Sequence, residues 1–143
     1  MINKALFSSN SEEWSTPQEL FDELNKEFHF TLDAAANKEN AKCKRYFDKE
    51  KNGLAQSWGG EAVWCNPPYG RQIGEWMKKA LEETKQSGTV AVMLVPARTD
   101  TSWFHSFVYH RAELRFLRGR LRFGNADNGA PFPSMLAIFR GPE

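Results

Sequence analysis

The stretch from Ala62 to Val95 limits what this chain can become more than any other. Ala62-Val63-Trp64-Cys65 is apolar without alternation, which suits a strand covered on both faces, and it runs straight into Asn66-Pro67-Pro68-Tyr69-Gly70. Two prolines in succession end any ladder there. Ile73, Trp76, Met77, Ala80 and Leu81 then recur at helical spacing in a segment reaching Lys85, Gly88 closes it, and Thr89 to Val95 is again continuously apolar up to Pro96. Strand, loop, helix, strand of this length is a βαβ unit, whose parallel strands bring both loop ends to one edge of a sheet. An α/β fold follows. At 143 residues, a compact single domain over 1–143 is the expected organisation.

Other elements are arranged around that unit. Met1 to Glu13 has little apolar periodicity and is expected to be loosely ordered. Ser15-Thr16-Pro17-Gln18-Glu19 reads as a helix start, with a hydroxyl cap, proline in the first turn and acids near the positive end of the dipole. Leu20, Phe21, Leu24 and Phe28 give this helix one apolar face, and it should run to about Glu27. Phe28 to Leu32 predicts a short strand ending at Asp33, which puts an acid at a strand's carboxyl end. From Ala34 to Gly60 the chain is polar, with a short helix expected over 37–44 and a turn at Asn52-Gly53. Ser102 to His110 predicts another helix. Glu113 to Phe123 and Met135 to Phe139 predict an antiparallel pair joined by the segment from Gly124 to Ser134.

Composition removes several classes of function. No apolar run approaches the roughly 20 residues of a membrane span, and the amino terminus lacks a basic stretch leading into an apolar signal core, so a cytoplasmic protein with no membrane partner is expected. Cys43 and Cys65 lack paired metal spacing, and His29, His105 and His110 are scattered, so no metal is assigned. Net charge is only +1, but it is uneven: residues 98–143 carry seven arginines, no lysine and four acids. Arginine's planar fork suits phosphate and base edges, which makes this segment the better candidate for a nucleic-acid face.

The loop after the Ala62 strand is where chemistry can be argued. Ligands of open α/β sheets bind at the carboxyl edge of the strands. Prolines fix the backbone there and donate no hydrogen bond, leaving carbonyls as acceptors, and the Asn66 side chain offers another. Two acceptors on the two hydrogens of an aromatic amine draw its nitrogen out of conjugation and raise its lone pair toward a methyl donor. Tyr69 would stack on the substrate ring, and stacking on one base contributes about 1–3 kcal/mol, which helps to retain a nucleotide flipped from a duplex. In the plainer alternative, the prolines end a strand, the asparagine caps a turn and the tyrosine is core.

Taken in order, Trp14-Ser15-Thr16-Pro17, Leu32-Asp33-Ala34-Ala35-Ala36, Asn52-Gly53-Leu54, Trp58, Asn66-Pro67-Pro68-Tyr69, Leu94 to Asp100, and Gly119-Arg120-Leu121-Arg122-Phe123 resemble the small phage-type, Dam-like DNA N-6-adenine methyltransferases. The resemblance covers about Trp14 to Phe139. It implies a compact Rossmann-like, S-adenosylmethionine-dependent methyltransferase fold, mainly parallel with an antiparallel pair at the end. It also implies transfer of a methyl group to the exocyclic amine of a flipped adenine in double-stranded DNA, inside a bacterial host cell. Asn66, Pro67, Pro68 and Tyr69 are then the catalytic loop. Trp14, Thr16, Pro17, Asp33, Ala34, Asp48 and Asn52 line the cofactor side, with Asp33 for its charged amino group, Asp48 for a ribose hydroxyl and Asn52 for its adenine. Amino-methyltransferases of RNA or protein glutamine resemble the same loop, and a non-catalytic DNA- or cofactor-binding module is a further alternative. The chain departs from the family's usual glycine-rich turn: Ala34-Ala35-Ala36 stands in its place and does not share glycine's access to positive φ.

On a strand, Arg118, Arg120 and Arg122 would share one face, with Leu117, Leu121 and Phe123 on the other. Guanidinium groups about 6–7 Å apart can follow a phosphate backbone, and Arg98 follows the Thr89 strand at the edge of the loop. No separate target-recognition domain is expected, so sequence reading would fall to loops such as 70–72 and 124–133. Pairing into a homodimer would enlarge the footprint on DNA.

Overall fold

The computed structural model of the chain describes residues 15–124 and 129–142. Its sheet has five strands, β1 (Leu32–Asp33), β2 (Ala62–Cys65), β3 (Val90–Pro96), β4 (Glu113–Phe116) and β5 (Ser134–Arg140), in the order β1-β2-β3-β5-β4. The first three run parallel, while β5 is antiparallel to both β3 and β4. The expected parallel part and the antiparallel pair are both present, and the pair is attached through its second strand.

Register explains the unbroken apolar runs. Ala91, Met93 and Val95 of β3 lie opposite Phe139, Ala137 and Met135 of β5 and turn to one face with Val63 and Cys65, where helix α2 (Ile73–Glu83) delivers Trp76, Met77 and Ala80. Val92 and Leu94 lie opposite Ile138 and Leu136 and turn to the other face with Trp64, where helix α1 (Gln18–Phe28) delivers Phe21 and Leu24. With helices on both faces, neither side of the strand can be polar. Phe104 and Val108 join the α2 face from a π-helical turn, Phe104–Val108, closed by the Tyr109 N–H on the Phe104 carbonyl at 2.8 Å. That turn replaces most of the helix expected over 102–110.

Three other expectations are corrected. The first strand begins later than Phe28, because α1 keeps that residue and stops at His29, whose left-handed backbone (φ 54°) returns its N–H to the Asn25 carbonyl at 2.9 Å. Residues 37–44 form turns, not a helix. There Asn37 Oδ1 accepts from the Glu39 and Asn40 N–H groups at 3.0 and 2.9 Å, and Asn40 Oδ1 accepts from the Asn37 N–H at 2.8 Å, so the side chains take the bonds a helix would use. The strand expected over Glu113 to Phe123 stops at Phe116, with one further bond from the Leu117 N–H to the Ser134 carbonyl, and Gly119 (φ 74°) turns the chain away.

The polar span between β1 and β2 is more ordered than its composition suggests. After the turns, residues 45–48 run parallel beside β1: the Asp33 N–H reaches the Arg45 carbonyl at 3.1 Å, the Phe47 N–H reaches the Asp33 carbonyl at 3.0 Å, and the Ala36 N–H reaches the Phe47 carbonyl at 3.0 Å. A crossover of about a dozen residues therefore adds a minimal edge to the sheet without a helix. Among the described residues, no helix is long and apolar enough to cross a membrane.

Candidate active site

The carboxyl ends of β1 and β2, the chain just after them and the approach to α1 enclose a cleft of about 690 Å³, well within the range of small-molecule sites. From the β1 side it is lined by Asp33, Ala34 and Asp48, from the turn beyond by Asn52 and Gly53, and from β2 by the whole loop Asn66-Pro67-Pro68-Tyr69. Thr16 enters from the chain before α1. Sequence positions separated by more than fifty residues thus meet at one edge, as the βαβ argument requires.

Asp33 is 3% exposed, and its carboxylate accepts from the backbone N–H groups of Ala35 at 3.3 Å and Lys42 at 3.0 Å. Burial outweighs those two bonds and pushes its pKa up to about 7. Ala34 is buried and continues the ladder through its N–H to the Trp64 carbonyl at 3.0 Å. The half-buried Asp48 receives the Lys51 N–H at 2.9 Å. Asn52 (φ 58°) caps the 3-10 turn Gly53–Ala55 by accepting the Leu54 N–H at 3.2 Å while still lining the cleft. Gly53 packs so closely that a Cβ there would stand 2.2 Å from the Ala34 carbonyl oxygen and 3.0 Å from the Trp76 ring. Close approach is thus supplied by Gly53 rather than by glycines after β1.

The capping expectation for Thr16 is overturned. Pro17 occupies the cap position of α1 and makes no side-chain cap bond, while the Thr16 hydroxyl turns inward and accepts from Trp64 Nε1 and Asn66 Nδ2, both at 3.3 Å. Pro17 starts the helix but does not line the cleft, and Trp14 lies outside the described residues.

Tyr69 meets an aromatic pair from the last part of the chain. Its ring stands edge-on to Phe132 at 5.4 Å and to Phe123 at 6.1 Å between centroids, and the two phenylalanines are 6.1 Å apart. Burial drives its phenol well above the usual range, holds Cys65 up as well and pushes Cys43 up to about 12. All three therefore stay neutral at physiological pH, and none is a thiolate or phenolate nucleophile.

Arg98 is exposed at the end of β3. Arg118, Arg120 and Arg122 are also exposed, and the inward alternation of Leu117, Leu121 and Phe123 persists although no strand carries it. The segment is held as a flap by bonds from the Ala130 N–H to the Leu121 carbonyl at 2.8 Å and from the Gly124 N–H to the Ser15 carbonyl at 2.9 Å. Arg120 also donates to the Ala130 carbonyl at 3.3 Å, so part of its guanidinium is engaged within the flap. Sequence reasoning missed Trp76 and Gln72 as cleft residues. Their position in and just before the first turn of α2, directly after the loop, was the available signal, but Trp76 also fitted the apolar face.

The family described as DNA N-6-adenine-methyltransferase (Dam) matches residues 4–140 of the chain. Over 110 residues the chain is 36% identical to a protein of Escherichia phage T1 named DNA N-6-adenine-methyltransferase, a region that is 76% of this chain and 45% of that protein. Over 65 residues it is 37% identical to YfdM of Escherichia coli (strain K12), whose name proposes a methyltransferase; this is 41% of the chain and 71% of YfdM. The chain thus spans less than half the length of the phage relative.

Proposed function

The chain belongs to the DNA N-6-adenine-methyltransferase (Dam) family, and from that membership we propose that it transfers a methyl group from S-adenosylmethionine to the exocyclic amine of adenine in double-stranded DNA. One observation carries the proposal: the Asn66 to Tyr69 loop and the buried acid at the end of the neighbouring parallel strand face the same cleft. The relative named for this activity supports the choice of adenine in DNA over RNA or a protein glutamine. The helix-covered sheet, parallel over β1 to β3, supports reading the fold as Rossmann-like and residues 1–143 as one methyltransferase domain.

The residues present fit the cofactor. Asp33 is a desolvated carboxylate that accepts from backbone N–H groups, a setting that favours a cationic amino group. Asp48 and Asn52, farther along the same cleft, would hold a ribose hydroxyl and an adenine edge, and Ala34 would floor the site between them. When bound, S-adenosylmethionine supplies an electrophilic methyl group. Asn66 Oδ1 and the Pro67 carbonyl accept the two hydrogens of the target amine and localise its lone pair. Pro68 holds the loop backbone, and Tyr69 bears on the base. Preorganised acceptors do this without a general base, in keeping with a neutral Tyr69, Cys65 and Cys43.

Asn66→Ala should lower methyl transfer to DNA by about 100-fold or more. The measurement is transfer of labelled methyl groups to separate DNA, RNA and protein pools, together with cofactor binding by calorimetry. Cofactor binding should largely survive. Undiminished turnover in Asn66→Ala would sink the assignment of the loop, and labelling of RNA or protein in place of DNA would sink that of the substrate.

A further inference from the structure

Thr16 does something that its place before a helix does not require. It is 7% exposed, and its Oγ1 receives two N–H groups, one from Trp64 and one from the Asn66 side chain. An indole nitrogen can only donate, so Trp64 commits Oγ1 to accepting on that side. The indole cannot readily turn away, because it is fully buried and packed edge-on to Phe21 at 5.7 Å and Phe30 at 5.6 Å. The second acceptor site of the same hydroxyl takes Asn66 Nδ2.

An asparagine amide has a donor end and an acceptor end of nearly the same size, and rotation by half a turn exchanges them. Only the acceptor end can take a hydrogen from an amine. We infer that Thr16 is a positioning residue: by holding Nδ2, it keeps Oδ1 of Asn66 directed toward the substrate amine. This rests on the reading of Asn66 as the amine acceptor. The chain before α1 thereby acts on the reacting group across fifty residues of sequence. Its Ser15 carbonyl also holds the Gly124 N–H, so the same short segment ties the catalytic loop to the flap that carries Phe123.

Thr16→Val keeps the side chain's shape and removes the acceptor, whereas Thr16→Ser keeps the hydroxyl. With cofactor and DNA saturating, Thr16→Val should lose about tenfold or more in kcat, and Thr16→Ser should stay within about threefold of the parent. A loss confined to the cofactor KM, with kcat intact, would reduce Thr16 to a ligand contact and overturn the inference. Failure of Thr16→Ser to restore kcat would also overturn it. A second readout uses the unmodified chain and does not depend on turnover: the side-chain amide protons of Asn66, identified by their loss in Asn66→Asp, should exchange with water more slowly than those of exposed asparagines. Exchange as fast as the exposed ones overturns the inference even if Thr16→Val does not fold. Asn66→Ala separates the two levels. If it remains active, the reading of the loop fails; if it is inactive while Thr16→Val keeps its kcat, only the role of Thr16 fails.

Discussion

Asp33 costs the fold stability at neutral pH, because its carboxyl group is buried. Its pKa is raised from the ordinary carboxylate value to about 7, chiefly by burial, with the Ala35 and Lys42 N–H groups and the Lys42 charge opposing. The folded chain therefore retains a proton that the unfolded chain releases near pH 4. The associated stability is fully present below the unfolded pKa and is lost as pH rises from about 4 through 7. Asp33→Asn should flatten that decline, leaving the variant more stable than the parent at pH 8 by an amount on the order of a few kcal/mol. Thermal unfolding followed between pH 4 and 8 measures it. A parent curve without this decline would mean that the carboxylate is ionised throughout. The same variant should bind cofactor more weakly, as expected if the carboxylate holds the cationic amino group.

Among the elements, local signals are legible in the sequence and contacts across the chain are not. Ala62–Cys65 and Ile73–Glu83 were legible because two prolines and a helical apolar stripe mark them from within. The end of β4 was not, since the alternation through Phe123 is real in burial but Gly119 turns the backbone out of the ladder. Residues 37–44 failed for a comparable reason: paired asparagine side chains outcompete a helix of weak propensity. The lining of the cleft was legible where it lies in one loop. It was obscure at Thr16, where the direction of a hydroxyl is decided by Trp64 and Asn66 rather than by its neighbours.

Replacing Arg118, Arg120 and Arg122 together with alanine should weaken DNA binding and reduce the salt slope, by about 0.9 for each phosphate that is no longer neutralised. Titrations at several salt concentrations measure it, and an unchanged slope would move the DNA face elsewhere. Phe132→Ala removes the closer of the two rings against Tyr69 and opens a core position, so a loss of about 3–5 kcal/mol in stability is expected from denaturant unfolding. A drop in stability of less than about 1 kcal/mol would mean that the flap is not packed on the loop.

The cleft draws its walls from the chain before α1, the β1 turns, the Asn52 turn and the β2 loop, so anything that fills it holds these parts together. S-adenosylmethionine at about 100 times its dissociation constant should stabilise the fold by about 2.7 kcal/mol, which for a chain of this size raises Tm by roughly 8 °C. Absence of any shift at millimolar cofactor would argue against the cleft as its site.

The place of β5 bears on how the molecule comes into being. Residues 134–140 lie between β3 and β4, with partners on both edges, and Met135, Leu136, Ile138 and Phe139 are among the largest fully buried side chains. On a ribosome, β1 to β3 emerge first, but one long edge of β3 stays open until the fifth strand arrives. During that interval, the apolar row of Ala91, Met93 and Val95 and the unpaired amides beside it are available to any other extended chain. The interval closes only after Arg140 has been made, so stalls in translation shortly before that point should be the costliest for yield.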